Sequence, residues 1–189
     1  MAGQLEFSKK ARTGMLQSVF MLAFFTLFWA AFLFWGFRVT AFPIIAAAIF
    51  VAISGVLFYR ALKANRAIRA MPDAPSDPAD KRAQTRWNII ASVQGGAIGV
   101  SCAVLWGMGL YTYIVPVVVL IVGLHYLPLG AMYHTPVHFI VGAAVVLVAI
   151  FGIVSQALGI VGDETIGICA MAGALSTAVL GVYILRLIK

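Results

Sequence analysis

All three histidines of this 189-residue chain fall in one stretch, Gly123-Leu124-His125-Tyr126-Leu127-Pro128-Leu129-Gly130-Ala131-Met132-Tyr133-His134-Thr135-Pro136-Val137-His138. Imidazole can ligate a metal, relay a proton or hold a hydrogen bond while neutral, so this is where chemistry is sought first. His134 and His138 stand four apart, the spacing that puts two ligands on one face of a continuous helix. Pro136 argues against that helix. Thr135-Pro136 reads instead as an N-cap followed by proline at the first helical position, with His138 at N3 and His134 outside the helix. Together His125, His134 and His138 could complete a zinc-like or haem-linked site, but no Asp or Glu accompanies them as a ligand or to orient the rings. The preferred expectation is no cofactor, with the imidazoles satisfied by backbone carbonyls and water; zinc or haem is the alternative.

Gln94 is the other polar residue deep in an apolar run, with Ser101 one heptad further on. Polar side chains in a membrane helix turn inward, toward another helix or a cavity. An interhelical hydrogen bond is the common structural use, and a contact to a bound solute is the functional one. Gln94, Ser101, His125, Tyr126 and His138 are therefore the candidate solute-binding residues. Gln156 is expected at the membrane surface.

These residues are embedded in a chain that is 63% hydrophobic and 10% charged, against roughly a quarter charged in a soluble domain. Such a balance excludes a water-soluble fold. The runs between Arg12 and Arg38, from Val39 to Tyr59, from Trp87 to Gly162 and from Thr165 to Leu185 carry no charge except at their borders. Each exceeds or matches the ~20 residues that cross hydrocarbon as a helix, and the third is long enough for several spans. They are apolar all round, without the alternation of a transmembrane β-barrel. The expected fold is an all-α polytopic bundle forming a single integral membrane domain over 1–189. Its spans are set at about 14–37, 40–60, 80–109, 112–127, 136–158 and 164–186. The fourth is shortest, and a broken or re-entrant geometry after His125 is weighed there. The N-terminal basic and apolar stretch is read as a retained helix, since it exceeds a signal-peptide core and lacks a cleavage site.

Twelve of the thirteen lysines and arginines fall before the first span, between the second and third, or at the C-terminus. Only Arg38 falls on the other side, with Asp163 and Glu164. Positive charge is retained in the cytoplasm, so both termini are expected inside. That asymmetry accounts for the net charge of +7 without nucleic acid; membrane lipid is the expected contact of the basic segments. The connection 60–86 is expected to be the one cytoplasmic loop, with Asp77 and Pro78 opening the third helix as N-cap and N1. Trp87 and Tyr59 are expected at headgroup depth.

Small residues recur at Cys169, Gly173, Thr177 and Gly181 in the sixth span, and at Ser92, Gly95, Gly99 and Cys102 in the third. Such stripes let helices approach closely, either within the chain or between copies, so a homo-oligomer through the third and sixth helices is an open expectation. Cys102 and Cys169 lie inside spans, and no disulfide is expected. Val51-Ala52-Ile53-Ser54-Gly55-Val56 and Val148-Ala149-Ile150-Phe151-Gly152-Ile153 match at four of six positions, but the flanking spans do not align as a repeat would require.

Gly123-Leu124-His125-Tyr126-Leu127-Pro128-Leu129, ending one span before a short turn and an aliphatic span, resembles a run in uncharacterised bacterial multi-pass inner-membrane proteins. The likeness covers about residues 115–150. It implies a bacterial inner membrane and carries no activity with it. Those proteins often have a basic turn after Leu-Pro-Leu, where this chain has Met132-Tyr133-His134.

Three functions are compatible with this pattern. Transport or binding of a small apolar or neutral solute within the bundle is preferred, and an enzyme is not. A metal- or haem-binding membrane enzyme or redox protein built on the histidines is the first alternative; an accessory or assembly subunit is the second. No nucleophile with its base, phosphate loop or acidic metal motif is present, which disfavours hydrolytic chemistry.

Overall fold

The computed structural model of the protein describes residues 9–37, 40–72, 78–160 and 162–188. Among the described residues the chain forms six helices: α1 Lys9–Gly36, α2 Ala41–Arg69, α3 Pro78–Gly107, α4 Ile114–Tyr133, α5 Pro136–Leu158 and α6 Glu164–Ile188. A single 3-10 turn, Tyr111–Tyr113, leads into α4. All six helices are long and apolar enough to cross a membrane. The chain is a multi-pass, all-α membrane protein. Helix is the form such segments must take, because in lipid each backbone N–H and C=O has to be satisfied within the segment.

The expected spans hold in number and order, with three corrections at their ends. α1 begins at Lys9 rather than near residue 14. α2 continues to Arg69 instead of ending at residue 60, since Ala61 and Ile68 are buried while Arg60, Lys63, Arg66 and Arg69 face outward, giving the extension an apolar stripe. With α3 starting at Pro78, the expected loop 60–86 shrinks to a short connection. α4 is neither short nor broken: it runs through Pro128 to Tyr133, and its turn follows there. Proline is tolerated in membrane helices where neighbours or local adjustment re-satisfy the freed carbonyl. Arg38 and the N-cap Asp77 lie outside the described residues.

α6 lies at the centre and α1 runs along it. The sixth-span stripe is consumed inside the chain: Gly173 meets the Trp29 ring of α1, Gly181 meets Leu57 of α2, and Cys169 fits against Gly152 of α5. Hydrogen bonds tie the same seams. Thr26 and Thr177 pair at 2.9 Å, and Ser54 donates to the Ala23 carbonyl at 2.8 Å. α4 and α5 cross where Gly123 faces Val145 and Val146, and where Gly142 faces the Gly123 carbonyl. Large apolar side chains such as Phe24, Ile45, Ile140 and Leu147 point outward, as a lipid solvent permits. At one end Lys9 donates to the Met71 carbonyl at 2.7 Å and Arg12 to the Ile188 carbonyl at 3.3 Å. The start of α1, the end of α2 and the end of α6 therefore share one face of the bundle, and the basic residues gather there.

α3 differs from the rest. It packs along α4, scarcely meets α1, and has no fully buried residue among those described. Its small stripe is unused within the chain, for a side chain added at Gly95, Gly96 or Gly99 would meet nothing within 4 Å.

Candidate functional site

Because α3 rests on α4 but stands off α1, a cavity of about 440 Å³ opens between the three helices. That volume lies within the ~300–1,000 Å³ of typical small-molecule sites. On α1 its wall runs from Ser18 to Phe32, a rise of roughly 21 Å at ~1.5 Å per residue. The cavity thus covers most of a hydrocarbon core of ~30 Å.

α3 supplies Trp87, Ala91, Gln94, Ile98 and Cys102, a row that follows helical steps of three and four along one face. α4 supplies Val115, Val118, Val122, His125, Tyr126 and Leu129 opposite, while α5 and α6 close the back with His138 and Thr177. Phe25 and Trp29 of α1 complete an overwhelmingly apolar lining without a single charged side chain. At the basic end Trp87 and Tyr133 form a rim shared with a smaller recess of about 90 Å³, which carries Lys10, Gln17 and Gln84. Met21, Phe28 and Gly95 line the cavity and are also exposed, so it opens sideways toward the lipid between α1 and α3.

Most polar groups on the wall are already engaged. Tyr126 pairs with Ser176 of α6 at 3.4 Å, Thr177 with Thr26 at 2.9 Å, and Ser18 donates to the Gly14 carbonyl at 3.2 Å. Thr135 is the N-cap of α5 by its backbone, as expected. Its hydroxyl nevertheless lies 2.6 Å from His138 Nδ1 instead of capping the helix. That contact fixes the His138 ring between Tyr133 and Tyr183, at centroid distances of 6.2 and 6.3 Å.

Gln94 and His125 are not among the engaged groups. Nδ1 of His125 is buried and has no hydrogen-bond partner. An unmade hydrogen bond on a buried atom costs about 1–3 kcal/mol, and such atoms are rare enough in folded proteins to need an explanation.

Of the expected site residues, the cavity brings together Gln94, His125, Tyr126 and His138. Ser101 is half-buried but not part of the wall. The wall follows the four-residue step from Gln94 through Ile98 to Cys102, so it passes beside Ser101. His134 is exposed, in the left-handed conformation at φ 51°, ψ 41°, where it ends α4. Among the described residues no three His, Cys, Asp or Glu side chains form a group able to hold a metal ion, and the three histidines are not gathered into one. Gln156, expected at the membrane surface, donates to the Gly162 carbonyl at 3.2 Å across the turn into α6. Trp29, Phe25 and Tyr133 were not singled out from sequence as site residues. Trp87 was legible only as an interfacial aromatic.

No family model, no curated protein and no solved structure matches the chain. Its geometry is the ground for a functional reading.

Proposed function

We propose that this protein binds, and carries within the membrane, a small apolar or neutral solute held among α1, α3 and α4. One observation carries the reading. A cavity of about 440 Å³, free of charged side chains and open toward lipid, has on its wall His125, whose Nδ1 is buried without a partner. Intramembrane polar groups are costly and mark functional sites more often than chance packing. The reading also takes the basic end as cytoplasmic, from the distribution of lysine and arginine, and a bacterial inner membrane as the location, from the resemblance around His125.

Gly95→Leu tests it. Gly95 lines the cavity with no atom within 4 Å of an added Cβ, so a larger side chain can enter the space without displacing a packed neighbour. Naphthalene should bind saturably to the wild-type protein in lipid nanodiscs, after subtracting partition into protein-free discs, and at least tenfold more weakly to Gly95→Leu. Equal partition with and without protein would overturn the proposal.

A further inference from the structure

We propose that the ligand is a single-chain amphiphile whose alkyl tail lies in the large cavity and whose anionic head group sits in the small recess beside Lys10. This rests on the cavity reading above, since the part within the membrane stays apolar and uncharged, and it adds a head group and its place. The two spaces adjoin and differ in chemistry. The recess of about 90 Å³, at the basic end, carries Lys10, Gln17 and Gln84, whereas no Lys, Arg, Asp or Glu lines the cavity of about 440 Å³. Trp87 and Tyr133 line both, so a molecule crossing that rim has its two ends in unlike surroundings. Trp and Tyr are the side chains found where hydrocarbon gives way to head groups.

Lys10 is available to an anion. Lys9 is bonded to the Met71 carbonyl and Arg12 to the Ile188 carbonyl, while Lys10 is exposed on the recess wall with no such bond among the described residues. Gln84 donates one of its two amide protons to Asn88 at 2.9 Å and keeps the other. Shape sets the tail. Spread along the ~21 Å of α1 that lines it, the cavity has a mean cross-section of about 20 Å². That is close to the section of one methylene chain whose neighbours stand at carbon contacts of ~3.5–4.0 Å, and it leaves no room for a second chain. The length exceeds half of a ~30 Å hydrocarbon core, so a chain starting at head-group depth is accommodated. The sideways opening between α1 and α3 lets the tail enter from the bilayer while its head group stays in water.

The test uses three probes with one tail: dodecyl phosphate, dodecanol and dodecyltrimethylammonium. Affinities are measured by equilibrium dialysis against the protein in phosphatidylcholine nanodiscs, with empty discs subtracted. Dodecyl phosphate should bind about fivefold more tightly than dodecanol, the effect of one exposed ion pair, and the cation should bind most weakly. Lys10→Gln should remove that preference and leave dodecanol affinity unchanged, which shows that the cavity is intact. Lys63→Gln, exposed and outside the recess, should keep the preference. If the three probes bind alike and Gly95→Leu weakens all of them, the head-group assignment is overturned and the cavity reading stands. A preference that survives Lys10→Gln, or that Lys63→Gln removes equally, belongs to the general charge of this face and overturns the recess as its site. Displacement of dodecyl phosphate by an equal concentration of inorganic phosphate would make the recess a free-phosphate site and overturn the amphiphile. Loss of dodecyl phosphate binding in discs containing phosphatidylglycerol would assign the site to a bilayer phospholipid and overturn the single chain. If no probe binds saturably, the cavity reading itself fails.

Discussion

Gly152→Ala in α5 and Gly99→Ala in α3 are the same change in two membrane helices, and the structure assigns them opposite outcomes. A methyl at Gly152 would stand 2.6 Å from the Cys169 sulfur, 3.2 Å from Pro116 Cβ and 3.3 Å from Thr165 Cγ2. Normal carbon contacts lie near ~3.5–4.0 Å, so α5 has to retreat from α6 by up to about 1 Å. None of the three neighbours can swing aside, since all are buried and short. Overpacking of this kind costs about 1–3 kcal/mol. A methyl at Gly99 meets nothing within 4 Å, and the gain in helix propensity over glycine is up to about 1 kcal/mol. Thermal unfolding in mild detergent reads the contrast, at roughly 2–4 °C per kcal/mol for a chain of this size. Gly152→Ala should lower Tm by about 2–12 °C, and Gly99→Ala should leave it unchanged or raised. Should Gly99→Ala destabilise as much as Gly152→Ala, a second copy or another protein packs on the α3 stripe, and the description of α3 as unpartnered is wrong.

Three further outcomes follow from the same geometry. Cys102 is half-buried on the cavity wall and Cys169 is fully buried against Gly152, so a small membrane-permeant maleimide should modify Cys102 alone, more slowly with naphthalene present; equal modification of both thiols would contradict the packing. His134→Gly relieves a left-handed residue that costs about 1–2 kcal/mol and should raise Tm while leaving probe affinity unchanged, whereas a drop in affinity would give His134 a place in the site. Ser76→Cys in the basic connection should resist an impermeant thiol reagent added to intact cells and react after permeabilisation; labelling from outside would reverse the proposed orientation.

The spans were legible because in this chain a charge-free run of sufficient length has only one stable form. Helix ends were less so. α2 runs on to Arg69 because Ala61 and Ile68 bury one side of a segment whose other faces are cationic, a pattern that a search for uncharged runs passes over. α4 runs through Pro128 although proline reads as a stop, because it lies within a membrane helix. The turn at Thr135-Pro136 was read correctly, since its signals are local. The sixth-span stripe and the third-span stripe could not be told apart, for spacing records that close approach is allowed and not whether a neighbour arrives. The cavity exists only because α3 stands off α1. That is a fact of tertiary packing, and it decides why Gln94 and Cys102 are on the wall while Ser101 is not. His125 was singled out by its residue type, but that its Nδ1 is buried without a partner is decided by the packing of the helices around it.

Native mass spectrometry of the protein extracted from its own membrane in mild detergent tests the occupied cavity most directly. The account predicts a population carrying one small apolar adduct per chain, depleted in Gly95→Leu. A bare chain mass in the wild type, or adducts that Gly95→Leu leaves untouched, would contradict it.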